Sequence, residues 1–244
     1  MAFEEPAEGE RTQSKPEPIT AEPPPAPWPA PLGVALTDVA FVHWRYDPEL
    51  IRPLLPPGLV PDIFDGATYV GLVPFRMRAY GEFLETNVRV YTVDPRGRRG
   101  TIFLTMEADR LPWVLAARAV GLPYAWSQMS LERETHVLRY RSARRWPGRS
   151  AAGTEVRVRV GRPVEGGPLE HFLTARWWLH HSVPGVRVAV LLAHNRWPLH
   201  AAELLHLDDR LVAAAGLPAP AEPPVSVLYA PTVRGRFSLA VPIL

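Results

Sequence analysis

Apolar and β-branched residues recur with a period of two along most of this chain, and that pattern restricts it to a sheet-dominated fold. The runs fall near 34–46, 67–78, 86–94, 100–108, 125–141, 154–161, 174–195, 199–207 and 225–242. Asp94-Pro95-Arg96-Gly97 and Glu165-Gly166-Gly167-Pro168 mark turns between them. Three short helices interrupt the strands. Asp47 caps the first, with Pro48 at its opening position and Pro53 keeping it brief. Pro112 to Val120 forms the second, closed by Gly121 with Pro123 beyond. Asp208 caps a third that runs through Ala215 and is closed by Gly216 and Pro218. Many strands with few helices define an α+β fold that is mostly antiparallel, an open sheet or a barrel.

The 244 residues suffice for one large domain with a sizeable core. Residues 1–31 stand apart. They hold nine prolines and few apolar groups, too little to offset the entropy of ordering them, so they are expected to be a disordered arm pinned at most near Trp28. The arm has six acids (Glu4, Glu5, Glu8, Glu10, Glu17, Glu22) against Arg11 and Lys15, a net −4. Since the formal total is +2, residues 32–244 carry +6. The densest basic group, Arg139, Arg141, Arg144, Arg145 and Arg149, surrounds a turn at Pro147-Gly148 and reads as a solvated hairpin, with no element that would read nucleic acid. There is no cysteine, no basic-then-apolar leader and no apolar run of membrane-spanning length, which together point to a cytoplasmic protein without a membrane partner.

Several stretches, in order, resemble the YqjF-like family, a domain-of-unknown-function group of the acetoacetate decarboxylase-like superfamily. They are Phe41-Val42-His43-Trp44, Asp47-Pro48 leading into Leu54-Leu55-Pro56-Pro57-Gly58-Leu59, Phe64-Asp65-Gly66, and Val70 through Met77. Asn87-Val88-Arg89-Val90-Tyr91, Gly121-Leu122-Pro123-Tyr124, His194 through Leu199, and Ala213 through Pro218 follow. The resemblance spans about residues 34–235 and implies a single domain over 32–244, a barrel-like or large curved sheet with an internal ligand cavity. True acetoacetate decarboxylases carry two adjacent lysines just after a short helix; the matching positions here are Ala119 and Val120. Their arginine ahead of the first core strand also lacks a counterpart around Leu36 and Thr37. The resemblance therefore implies the fold and not the Schiff-base mechanism.

Composition leads to the same chemistry. Of 27 basic residues only Lys15 is a lysine, and it lies in the arm. Schiff-base chemistry needs an amine whose pKa can be lowered, and arginine stays protonated. On the strand 87–91, alternation puts Asn87, Arg89 and Tyr91 on one face and Val88 and Val90 on the other. Facing inward, the polar face would offer a carboxylate or enolate a guanidinium, an amide and a phenol; facing outward, it would be solvated with the valines buried. Glu107, alternating with Thr101, Phe103 and Thr105, is a candidate proton-transfer group, or else a structural partner of Arg89 or Arg118. His43 shares a face with Phe41 and Val39 and is either a catalytic contact or a satisfied core histidine. Arg76, which alternates differently from Val73, Phe75 and Met77, and Tyr124, beside the turn closing the second helix, are further ligand-contact candidates.

His180 and His181 point to opposite strand faces, and His194, His200 and His206 match no common ligand spacing, so no metal is expected. Nucleophile-elbow, phosphate-loop and dinucleotide motifs are missing too, and no cofactor is expected. The expected function is small-molecule binding in an internal cavity. As an enzyme it would carry out enolisation, dehydration or cyclisation of a carbonyl or acidic metabolite; the alternatives are a non-catalytic binding or sensory module and an interaction protein using its proline-rich arm. Homo-oligomerisation is compatible with any of them.

Overall fold

The computed structural model describes residues 14–25, 29–148, 151–183 and 186–243. Residues 1–13, Trp28 and Arg149, which figure in the sequence analysis, lie outside them. The chain begins with β1 (Leu32–Tyr46), α1 (Pro48–Ile51), a 3-10 turn (Arg52–Leu54), β2 (Val60–Pro61), β3 (Thr68–Arg78) and β4 (Glu82–Val93). Next are β5 (Arg99–Ala108), α2 (Leu111–Ala119), β6 (Tyr124–Glu134), β7 (Val137–Trp146) and β8 (Gly153–Pro163). The remainder is α3 (Pro168–Thr174), β9 (Trp178–Val183), β10 (Val186–His194), β11 (His200–Asp209), α4 (Leu211–Ala214), β12 (Ser226–Phe237) and β13 (Val241–Pro242).

The local chemistry explains the helix boundaries. The Asp47 carboxylate accepts from the Glu49 amide at 2.9 Å, and α1 stops where Pro53 intervenes. α2 ends at Gly121, whose φ of +86° suits a residue without a Cβ. α4 is capped by Asp209, not Asp208: its two carboxylate oxygens take the amides of Leu211 and Val212 at 3.2 and 3.1 Å. α3 lies between the turn expected at 165–168 and the strand run expected from 174, where the sequence pattern suggests no helix. Pro168 at its start and Glu170, whose carboxylate accepts from the Gly167 amide at 2.8 Å, give it a helical first turn instead.

The strands form one sheet in the order β13-β10-β9-β5-β6-β7-β8-β11-β12-β1-β3-β4-β2, and the added pairings β4–β5 and β10–β12 close it into a ring-like structure. Nearly all pairings are antiparallel; β5 runs parallel to both β6 and β9. Following the pairs, β12, β1, β3, β4 and β5 form a wall common to two loops of strands, one through β6, β7, β8 and β11 and the other through β9 and β10. This wall is covered on both faces. On one, Val70, Leu72, Val88 and Val90 pack with Leu138, Tyr140, Val156 and Val158. On the other, Phe41, Val73 and Phe75 pack with Met106, Tyr124 and Trp197, and Tyr69 and Tyr91 pack with Phe172 and Leu173 of α3. No described helix is long and apolar enough to cross a membrane.

The described part of the arm is not free of fixed contacts, contrary to expectation. Ser14 and Glu17 donate backbone hydrogen bonds to Pro95 and Gly97 at 3.1 and 2.8 Å. The Arg99 side chain donates to the Glu17 carbonyl at 2.6 Å, and the Trp177 indole to that of Thr20 at 3.3 Å. Ile19 packs on the Tyr69, Tyr91, Phe172 and Leu173 cluster, so the one strongly apolar residue of the segment supplies the burial that proline and glutamate cannot. Deleting residues 1–25 is expected to lower the melting temperature by roughly 5 °C, the scale of losing one partly buried isoleucine and its neighbouring hydrogen bonds. An unchanged melting temperature by calorimetry would show these contacts to be energetically idle.

Candidate functional site

Because the wall is covered on both faces, alternation along β4 produces two buried sets. The second set is polar: Glu85, Asn87, Arg89 and Tyr91 have relative accessibilities of 1%, 2%, 9% and 0%. Successive members are about 7 Å apart along the strand. A carboxyl, an amide, a guanidinium and a phenol thus line a face that is otherwise occupied by Phe41, Val73, Phe75 and Met106.

Two hydrogen-bonded groups hold the row. At one end the Tyr124 hydroxyl donates to Glu85 Oε2 at 2.8 Å, and Asn87 Nδ2 lies 3.4 Å from Oε1. Burial raises the Glu85 pKa to about 7, although the bonds from Tyr124 and Asn87 pull the other way. Burial, followed by the charge of Glu85, pushes the Tyr124 hydroxyl well above the usual phenol range. Asn87 Oδ1 is buried with no hydrogen-bond partner among the described residues. At the other end Arg89 donates through Nε to the Tyr91 oxygen at 3.2 Å and through Nη2 to the Leu173 carbonyl at 3.0 Å; its Nη1 makes no hydrogen bond among the described residues. Tyr91 donates to the same carbonyl at 3.0 Å. α3 therefore delivers a backbone acceptor into the site.

His43 sits behind Tyr91, not in front of it. Its Nε2 lies 2.6 Å from the Tyr91 oxygen, and since Tyr91 spends its proton on Leu173, His43 is the donor. The ring is fully enclosed, and burial first, then Arg89 and Arg176, hold its pKa well below the usual histidine value. Nε2 therefore orients Tyr91, while Nδ1 is buried with no hydrogen-bond partner among the described residues. Gly71 makes room for it, because a Cβ there would lie 2.9 Å from His43 Nε2 and 3.2 Å from the Tyr91 oxygen.

Glu107 lies on the opposite face of the wall. The register along β4 and β5 pairs Val88 with Thr105 but Arg89 with Phe103, so a bulge reverses the alternation between Phe103 and Thr105. Glu107 is enclosed there by Arg144, Thr105 and Ser127, so its ion pair is with Arg144 and not with Arg89 or Arg118. Arg76 is half-exposed and pairs with Glu82 at 2.6 Å, away from the row. Among the hairpin arginines, Arg139 and Arg141 pair with Glu155 and Glu132 across the strands. Glu85 is a member of the buried row that the period-two run starting at residue 86 leaves out; the alternation of Asn87, Arg89 and Tyr91, carried back by one step, includes it.

Beneath Tyr91 lies a buried ionic cluster. Asp62 binds both Arg99 and Arg176, and the Arg176 guanidinium lies over the rings of Tyr91 and Phe172, 4.7 and 4.0 Å from their centroids. These contacts fix Tyr91 from below while His43 fixes it from the side.

The ring-like, mostly antiparallel sheet is the acetoacetate decarboxylase-like fold, as its structural neighbours show. The enduracididine biosynthesis enzyme MppR complexed with pyruvate superposes with a TM-score of 0.64 at 19% identity, covering 90% of this chain and 93% of that one. An acetoacetate decarboxylase-like enzyme from Sphingomonas wittichii RW1 gives 0.61 at 16% identity, covering 88% and 94%. Acetoacetate decarboxylase from Legionella pneumophila gives 0.59 at 15% identity, covering 89% and 93%. At these identities the likeness carries the fold alone. The chain belongs to the DUF2071 family, described as an uncharacterized conserved protein (COG2071), whose model matches residues 34–234. Its similarity to the uncharacterized protein YqjF of Bacillus subtilis (strain 168) is 28% identity over 201 residues, 77% of this chain and 83% of the relative.

Proposed function

We propose that the protein is a cofactor-independent acid–base enzyme acting on a small carbonyl acid, without a Schiff base. The observation that carries this reading is a fully enclosed carboxyl, Glu85, with a pKa of about 7, in one row with Asn87 and the Arg89 guanidinium. A base must be deprotonated to work and basic enough to take a proton, and a pKa near the operating pH serves both needs. In this mechanism Glu85 takes a proton from the carbon beside the carbonyl. The C–H electron pair becomes the enolate π bond and the carbonyl π pair moves onto oxygen, where Asn87 Nδ2 and Arg89 Nη1 donate. Return of the proton from Glu85 to carbon completes hydrogen exchange; its transfer instead to a β-hydroxyl, which leaves as water while the enolate pair forms the new C=C bond, completes dehydration. His43 and the Asp62 cluster are positioning groups. Lys15, the sole lysine, is exposed on the arm and takes no part. A cysteine-free chain suits a cytoplasmic setting.

The pyruvate held by MppR recommends a 2-oxo acid as the probe. Proton NMR of pyruvate in deuterium oxide should show protein-dependent exchange of the methyl hydrogens. Its rate should rise as pH passes through about 7, because the base form of Glu85 accumulates above its pKa. Glu85→Gln should abolish the exchange, a loss of about 100-fold or more, and Lys15→Ala should retain it. Exchange that survives Glu85→Gln removes Glu85 from this role. Saturable pyruvate binding without any exchange would favour the non-catalytic binding module.

A further inference from the structure

A second site lies at the edge of the same wall. A cleft of about 730 Å³ opens between the ends of β1, β3, β10 and β12, and Arg78, Tyr80, His194, Asn195, Arg234 and Arg236 contribute to its lining. No carboxylate is among the described lining residues. Arg78 shares Glu82 at 2.9 Å, and Arg236 donates through Nε to the Ala30 carbonyl at 2.8 Å. Arg234 is exposed and makes no side-chain hydrogen bond or ion pair among the described residues. A concave surface with three guanidiniums, of which only that of Arg78 is paired with a carboxylate, and no acid among its described lining residues draws anions.

His194 gives the cleft a different polarity at its floor. It is 4% accessible, and its ring lies between Trp177 and Trp197 at centroid distances of 4.5 and 4.9 Å. Its Nδ1 is 2.6 Å from the Asn195 carbonyl oxygen, which can only accept, so Nδ1 carries the proton. Burial, with the charge of Arg89 adding to it, lowers the pKa to about 4, so the ring is neutral. Nε2 is then a lone-pair acceptor. It has no partner among the described residues, and His194 is among the residues that line the cleft. Trp197 meets Phe41 edge-on at 5.1 Å, and the Arg89 guanidinium lies 5.4 Å from the Phe41 centroid, so the cleft floor backs onto the buried row.

Guanidiniums only donate, and Nε2 of a neutral His194 only accepts. A plain carboxylate satisfies the first and leaves the second unpaired; a ligand carrying both an anionic group and a hydroxyl satisfies both. We propose that this cleft binds a small hydroxy acid, its carboxylate held by Arg234 and Arg78 and its hydroxyl donating to Nε2 of His194. The cleft shares with the proposed active site only the acidic class of its ligand and uses none of the Glu85, Asn87 and Arg89 row.

Malate and succinate differ by one hydroxyl, and their binding can be compared by calorimetry and by the fluorescence of the indoles that flank His194. Malate should bind about tenfold more tightly than succinate, the ratio expected of one hydrogen bond to an otherwise unpaired acceptor. Arg234→Ala should weaken both by about tenfold, as loss of one charge-assisted contact does. His194→Phe keeps a flat ring between the indoles and should cancel the preference while leaving succinate unchanged. Arg234 is exposed, so its variant should fold regardless of the fate of the histidine variant. In the unaltered protein, malate but not succinate should also shift the ¹⁵N resonance of Nε2. Equal affinities, a preference that survives His194→Phe, or affinities indifferent to Arg234→Ala would overturn the inference. If malate binding falls with Arg89→Ala but not with Arg234→Ala, the ligand occupies the buried row; the cleft inference then fails while the acid–base proposal stands. Malate behaving as expected while pyruvate exchange is absent would instead uphold the cleft and reject the acid–base proposal.

Discussion

Replacing Asp62 with alanine is expected to destabilise the protein by roughly 3–5 kcal/mol, the cost of stranding one partner of a buried ion pair. Asp62 is 2% accessible and its two carboxylate oxygens are divided between Arg99 and Arg176, whose own side chain is 2% exposed. Removing the carboxylate leaves a guanidinium against the Tyr91 and Phe172 rings with no counter-charge and no route to water. For a chain of this length the loss corresponds to a fall in melting temperature of about 10 °C. The pair itself need not be stabilising relative to apolar side chains. Asp62→Leu combined with Arg176→Met should therefore recover most of the loss, because no buried charge is then left alone. A single Asp62→Ala variant within about 1 kcal/mol of the parent protein would mean that water reaches Arg176 in solution.

The strands are legible in the sequence because their period-two pattern survives on a wall buried on both faces. Val88 and Val90 still alternate with Asn87, Arg89 and Tyr91, although neither set faces solvent. The choice between an inward and an outward polar face assumes that one face has to be wet, and the ring-like closure removes that assumption. What alternation cannot supply is register. The bulge in β5 moves Glu107 to the far face, and nothing in Thr101 through Glu107 announces it, since each residue there is compatible with either phase. α3 carries a signal that its surroundings outweigh: Pro168 followed by Glu170 is a helix start, but the preceding Gly166-Gly167 favours a turn. Without α3 the Leu173 carbonyl, the acceptor on which Arg89 and Tyr91 converge, stays hidden. The sequence singles out His43 as a residue but not its place behind Tyr91, which depends on the space left by Gly71 in a neighbouring strand.

Arg89 should prove the residue on which ligand affinity most depends. Nε and Nη2 are committed to the Tyr91 oxygen and the Leu173 carbonyl, which fixes the plane of the guanidinium and leaves Nη1 as the donor available to a bound carboxylate or enolate. A donor held in place by its own second and third bonds loses little entropy on binding. Arg89→Ala should then weaken pyruvate binding, measured by calorimetry, by roughly 2–4 kcal/mol, or about 30- to 1000-fold in Kd. Arg89→Lys should rescue little. An ammonium placed to reach the ligand cannot also reproduce the planar fork that spans Tyr91 and Leu173. Thermal unfolding of both variants separates this from a general loss of structure. The alanine variant also removes one donor from the Leu173 carbonyl, but Tyr91 still donates to it, so stability should fall far less than affinity. Pyruvate affinity within about twofold of the parent protein after Arg89→Ala, well short of the loss expected for a buried charged contact, would remove the guanidinium from the site. The anchor would then fall to Asn87, whose Nδ2, 3.4 Å from Glu85 Oε1, can donate to an anion.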